Sequence, residues 1–217
     1  MEMKKPQQYL EELISRYPIL NECKKDIESA YKLIISCYRD KGKLLIAGNG
    51  GSSADSGHIV GELMKGFLSR RTLPDNIKQR LIESHREMGE VMAEKLQGAL
   101  PAIDLTVHSP LITAFSNDVD GDLIYAQQII GYGQAGDIFL GISTSGNARN
   151  ILYGLYAAKA MGLNTIGLTG RKGGRMNDVC DITIRVPAHT TPEIQELHLP
   201  VYHTLCAMVE AYFFGDI

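Results

Sequence analysis

The chain has 217 residues, of which 44% are hydrophobic and 22% charged, and its formal net charge is −3. That length suits one α/β domain with a full core, taken here as residues 1–217. The charge balance gives no nucleic-acid footprint, and no apolar run is long enough to span a bilayer. The start, Met1-Glu2-Met3-Lys4-Lys5-Pro6, lacks the apolar stretch of a secretory signal, so a cytoplasmic protein is expected. Cys23, Cys37, Cys180 and Cys206 form no C-x-x-C pair and read as reduced, mostly packed thiols.

Residues 1–41 read as a leading helical segment. Leu10, Leu13, Ile14 and Tyr17, then Ile27, Ala30, Tyr31, Ile34 and Ile35 after Pro18, recur at helical spacing. Gly42 is a plausible C-cap. Short apolar runs follow at 43–47, 102–107, 137–142, 164–168 and 182–186, each of strand length. Helical patterns lie between most of them, among them 123–132 and 147–161. This alternation predicts an α/β fold: a three-layer, doubly wound parallel sheet. In such sheets ligands sit beyond the carboxyl ends of the strands. Residues about 72–100 interrupt the rhythm with a charged, helical stretch, read as an inserted helix or helical pair, with Ile77, Leu81, Ile82, Met88, Val91, Met92 and Leu96 on its apolar stripe.

Gly141-Ile142-Ser143-Thr144-Ser145-Gly146-Asn147 follows a strand and precedes a helix. Three successive hydroxyls are costly to bury unpaired, but at a helix N-terminus they join exposed N–H groups and the helix dipole in holding an anion. A polar turn capped by Asn147 is the plainer reading of the same residues. Ala47-Gly48-Asn49-Gly50-Gly51-Ser52-Ser53 ends the first strand, and its glycines permit close backbone approach to a ligand. It matches neither nucleotide-binding glycine motif. A third turn, Thr169-Gly170-Arg171-Lys172-Gly173-Gly174-Arg175, is basic and reads as a solvated surface loop.

His58 and Glu62 are four apart and share a helix face, as a metal pair or an acid/base pair would, and equally as a surface pair would. The last helix is expected to have Pro192 as its first residue, and it carries Gln195, His198 and His203. At about 100° per residue, His203 lies about 80° from Gln195 and His198 about 60° to the other side. Both histidines do not fit one site, and spacing does not choose between them.

These stretches, with Asp55, Asn117-Asp118, Leu168-Thr169-Gly170 and Ile194-Gln195-Glu196, resemble the sugar isomerase (SIS) domain family, and within it the phosphoheptose isomerases. The resemblance implies a flavodoxin-like sheet, a homotetramer with sites between subunits, and conversion of sedoheptulose 7-phosphate to a heptose 7-phosphate. It implies sugar contacts at Asn49, Gly50, Gly51, Ser52, Asn117, Asp118 and Gln195, and a phosphate grip at Ser143, Thr144 and Ser145. It also implies Zn2+ held by His58, Glu62, Gln195 and His203, with Glu62 and His203 as the catalytic pair. Two positions depart from the family pattern: Ala148 stands where another serine is usual, and the stretch 72–100 is extra. They leave room for another phosphosugar as substrate. A non-catalytic SIS module that senses a sugar phosphate or binds a protein is the alternative outside enzymes.

Overall fold

A computed structural model describes residues 3–215. Five parallel strands, β1 (Leu44–Gly48), β2 (Ala102–Asp104), β3 (Ile138–Ile142), β4 (Asn164–Gly170) and β5 (Ile182–Val186), form one sheet in the order β2-β1-β3-β4-β5. Leu44 and Ile46 enter one core and Leu45 and Ala47 the other, because successive strand side chains point to opposite faces. The first core is covered by α1 (Pro6–Arg16), α2 (Lys24–Arg39), α3 (Gly51–Met64) and α10 (Thr191–Phe214). The second is covered chiefly by α7 (Ile124–Tyr132), α8 (Arg149–Ala160) and α9 (Met176–Val179). The three-layer, doubly wound sheet expected from the strand–helix alternation is therefore present.

Several boundaries differ from the sequence reading. The leading segment breaks at Pro18 into α1, a 3-10 turn (Pro18–Cys23) and α2. Lys41, not Gly42, takes the left-handed conformation, with φ 63°. Gly42 is needed for room instead, since a Cβ there would stand 2.7 Å from Cys37 Sγ. The run 102–107 is strand only to Asp104, whose Oδ1 accepts the Thr106 N–H and turns the chain. An unforeseen helix, α6 (Ser109–Phe115), follows. The charged stretch is a helical pair, α4 (Asp75–Ser84) and α5 (Arg86–Lys95), closed at its base by a Thr72–Gln97 bridge. Gly89 allows the close crossing: a Cβ there would lie 2.1 Å from the Leu81 carbonyl oxygen. Met88, Val91 and Leu96 of the expected apolar stripe are exposed. Cys23, Cys37 and Cys206 are buried, Cys180 is partly so, and all four are unpaired. Among the described residues no helix is long and apolar enough to cross a membrane.

The strand order reverses between β1 and β3, which pair with Gly48 opposite Ile142. That is the switch point at which open α/β sheets hold ligands. The loops leaving these two strands are the two motifs singled out above.

Candidate active site

At the carboxyl edge of the sheet the loops are tied together by polar contacts. The side chains of Asn49 and Asn150 exchange two hydrogen bonds of 2.9 Å, joining the loop after β1 to the start of α8. The Tyr125 hydroxyl donates to the Gly48 carbonyl at 2.8 Å. Ser53 Oγ bonds Thr106 Oγ1 at 2.8 Å, joining the first turn of α3 to the loop after β2. Gly50 has φ 56°, which lets the chain turn sharply from β1 into α3. Asn49, Gly50 and Gly51 are exposed, whereas Ser52 is buried beneath the turn.

The serine loop is held by backbone at both ends. Ser143 N–H donates to the Leu168 carbonyl and Gly146 N–H to the Ser143 carbonyl, each at 3.0 Å. Among the described residues, the Thr144 and Ser145 amides take no backbone acceptor, as an anion site beside a helix start requires. Ser143 is buried, Thr144 is half-buried and Ser145 is exposed. Asn147 is not the cap of the next helix: α8 begins at Arg149 with Ala148 in the cap position. Asn147 braces the loop, donating from Nδ2 to the Ser145 carbonyl and accepting the Arg175 N–H on Oδ1, both at 3.0 Å.

That brace corrects the reading of the third turn. β4 runs through Gly170, and Gly173 and Gly174 pack against the serine loop. A Cβ on Gly146 would lie 1.9 Å from the Gly173 carbonyl oxygen, and one on Gly174 2.4 Å from that of Ser145. The turn is a buttress of the serine loop, although Arg171, Lys172 and Arg175 themselves are exposed.

On α3, residues 51, 55, 58 and 62 fall on one stripe. α10 crosses it. Thr190 caps α10 and forms a capping box with Glu193, and Pro192 occupies the second helical position rather than the first, because the helix starts at Thr191. Gln195 lies over Gly51: a Cβ there would stand 2.6 Å from its Nε2. His203 meets the middle of the stripe, with its Nε2 3.4 Å from His58 Nε2. His58 Nε2 is in turn 3.3 Å from Glu62 Oε1, and Glu62 Oε2 pairs with Lys65 at 3.0 Å. Burial lowers the His203 pKa and the His58 ring lowers it further, while Glu62 opposes both. His198, on the other side of α10, is fully buried away from this group. The side chains of Asn117 and Asp118 are exposed, lie in the π-helical turn Ser116–Asp120 and bond each other at 2.9 Å.

Tyr202 was not among the residues singled out from sequence. Its hydroxyl donates to Asp55 Oδ1 at 3.2 Å and lies 3.0 Å from His58 Nδ1. Burial, reinforced by Asp55, raises the Tyr202 pKa, so the phenol keeps its proton. With that hydrogen given to Asp55, the phenol oxygen accepts from His58 Nδ1–H in the tautomer that leaves the Nε2 lone pair free for a ligand. The detectable signal was Tyr202 standing seven residues from Gln195, two helical turns along the same face.

Among the described residues no three His, Cys, Asp or Glu side chains are gathered into a formed cation site. The donor chemistry nevertheless fits one. Ligands about 2.0–2.1 Å from a tetrahedral zinc stand about 3.3–3.4 Å apart, the spacing seen from His58 Nε2 to Glu62 Oε1 and to His203 Nε2. With Nδ1 protonated, His58 presents a lone pair to a carboxylate, an arrangement a shared cation would stabilise.

The fold has clear counterparts. Residues 92–170 match the SIS domain family. The phosphoheptose isomerase of Sulfurimonas denitrificans is 37% identical over 88% of this chain and 84% of its own. Phosphoheptose isomerase 2 of Campylobacter jejuni is 38% identical over 87% of this chain and 81% of its own. Among solved structures, a phosphoheptose isomerase from Francisella tularensis superposes with a TM-score of 0.73 at 31% identity, covering 94% of this chain and 95% of that one. On this likeness in sequence and fold, the chain belongs to the phosphoheptose isomerase family of SIS-domain proteins.

Proposed function

We propose that the chain is a zinc-assisted isomerase converting D-sedoheptulose 7-phosphate to D-glycero-D-manno-heptose 7-phosphate. The observation that carries this reading is the meeting of Glu62, His58 and His203 beside a backbone anion site at the sheet's switch point. Aldose–ketose conversion moves a proton between C1 and C2 through an enediol, which needs a base and a partner for the oxygens. Glu62 takes the C1 proton and returns one to C2, while His203 exchanges a proton with the neighbouring oxygen. A lowered pKa keeps the His203 imidazole uncharged at neutral pH, ready to accept a proton from one oxygen and return it to the other.

Ser143, Thr144 and Ser145 grip the phosphate, whose binding energy orients carbons remote from it. Asn49, Gly50, Gly51, Ser52, Asn117, Asp118 and Gln195 contact the sugar. His58, Glu62, His203 and Gln195 would hold Zn2+, which when bound would supply Lewis-acid polarisation of the carbonyl. A homotetramer with sites between subunits belongs to the same reading. Beside His203 lies a hollow of about 460 Å³, walled by Tyr9 and Leu13 of α1, by Phe67, and by Leu199 and Ala207 of α10. A single domain with 72–100 as an insertion, in the cytoplasm, completes the reading.

The test is incubation of the purified protein with sedoheptulose 7-phosphate and zinc. Appearance of the aldose supports the reading. No aldose, at enzyme levels where a known isomerase reaches equilibrium, sinks it. Ala148, which gives α8 no side-chain cap, favours one second reading: the same chemistry on a different phosphosugar. A panel of ketose phosphates separates the two by kcat/KM.

A further inference from the structure

Between α3 and α4 the chain returns beneath the catalytic helix, and Arg71 is buried there completely. Its Nε donates to Glu210 Oε1 at 2.7 Å, and the pair has no exposed side-chain surface. Its two terminal nitrogens donate to the carbonyls of Leu63 at 2.5 Å and of Glu62 at 2.7 Å. Glu210 also accepts the Phe67 and Leu68 N–H groups at 2.8 and 2.7 Å. The guanidinium lies 4.9 Å from the centre of the Phe214 ring. The base of the α4–α5 pair closes on the same residue, with Gly98 N–H donating to the Arg71 carbonyl at 2.8 Å.

The last carbonyls of any helix lack partners within it. In α3 two of them are taken by Arg71, and one belongs to Glu62 itself. Glu210 follows His203 by seven residues, about 20° short of two full turns, so both lie on one face of α10. That face therefore brings His203 to His58 and, through Glu210 and Arg71, grips the main chain of Glu62. A buried ion pair is often matched in stability by apolar residues of the same volume, so stability alone does not account for it.

We propose that Arg71 and Glu210 are positioning residues that set the distance and angle between the Glu62 carboxylate and the His203 imidazole. The inference rests on the isomerase reading of those two groups. Arg71→Lys keeps the charge and loses the fork that spans Glu210 and both carbonyls. Small misplacements of reacting groups are expensive, so its kcat is expected to fall about tenfold to a hundredfold. Its KM should stay within about threefold, because the phosphate grip is elsewhere. Amide hydrogen exchange at residues 62–66 should quicken while exchange in β1 and β3 does not.

Glu210→Gln, a smaller change of shape, is the second variant should Arg71→Lys fail to melt cooperatively, and the same split is expected of it. A cooperatively folded variant with wild-type kcat and unchanged exchange at 62–66 overturns the proposal. Loss of kcat accompanied by an equal rise in KM also overturns it, since that points to general loosening of the site. Wild-type protein without turnover removes the isomerase reading instead, and the exchange measurement then reports on the grip independently.

Discussion

The Tyr202 hydroxyl stands between Asp55 and His58, 3.2 Å from one carboxylate oxygen and 3.0 Å from Nδ1 of the ring. With its hydrogen given to Asp55, the phenol favours the His58 tautomer that carries its proton on Nδ1 and leaves Nε2, the atom facing Glu62 and His203, free to accept or to bind a cation.

Tyr202→Phe removes that control and leaves the ring packing, which places the Tyr202 and His58 ring centres 5.5 Å apart. Zinc affinity and kcat/KM are each expected to fall about tenfold to a hundredfold, the usual cost of losing an outer-shell partner. Metal titration against a competing chelator and steady-state kinetics check this. Unchanged values for both would remove the relay from the site.

Gly146 has φ 66°, and a Cβ there would run into the Gly173 carbonyl. Gly146→Ala is expected to destabilise the fold by about 2–4 kcal/mol, combining left-handed strain with the clash. It should also raise KM for the sugar phosphate more than it lowers kcat. Urea unfolding and initial rates measure the two effects. A mutant as stable as wild type would mean that the serine loop and the glycine buttress are not locked together.

His198 is fully buried, and among the described residues the backbone of Thr169 is the one polar group that acts on its ring against the effect of burial. Burial pushes its pKa down to about 4. Between about 6.5, the ordinary value, and about 4, the unfolded chain binds a proton that the folded chain refuses. Stability contributed by neutral His198 is therefore complete above about pH 6.5 and drains away as pH falls toward 4, by up to roughly 3 kcal/mol. His198→Phe should flatten that slope in denaturant titrations run from pH 7 to pH 4.5. An equal slope in both proteins would assign the acid sensitivity to other groups.

The four cysteines are free, three of them buried, and burial raises all four thiols to about 12. Thiols so far from ionising are poor nucleophiles. Modification by iodoacetamide at pH 7.5 is expected to be slow in the folded protein and to leave turnover intact. Rapid loss of activity would contradict that.

The layered sheet was legible because buried strands and amphipathic helices leave different periods in the sequence. Helix ends were less so: Lys41 adopts the left-handed conformation beside a glycine that is there for space, which no propensity reveals. The anion loop was visible as Ser143-Thr144-Ser145, since hydroxyls crowded between strand and helix have few other uses. The buttress at Gly173 and Gly174 was not, because its partners lie some thirty residues away in the chain. His58 and Glu62 stood out as a helical pair; helical spacing left His203 and His198 open, the family resemblance pointed to His203, and the packing of α10 buries His198 and turns His203 to α3. Arg71 and Glu210 carry no signal in the sequence, because only tertiary contact makes a buried pair of residues 139 apart.

The most direct measurement is NMR of the reaction in D2O with wild-type protein and Glu62→Gln, sedoheptulose 7-phosphate as substrate and zinc present. Proton transfer through an enediol by an exchangeable carboxylate should give aldose heptose 7-phosphate carrying deuterium at C2 from the wild type. Folded Glu62→Gln should give no aldose. No aldose from the wild type, product without deuterium at C2, or continued turnover by Glu62→Gln would contradict a Glu62-based isomerase.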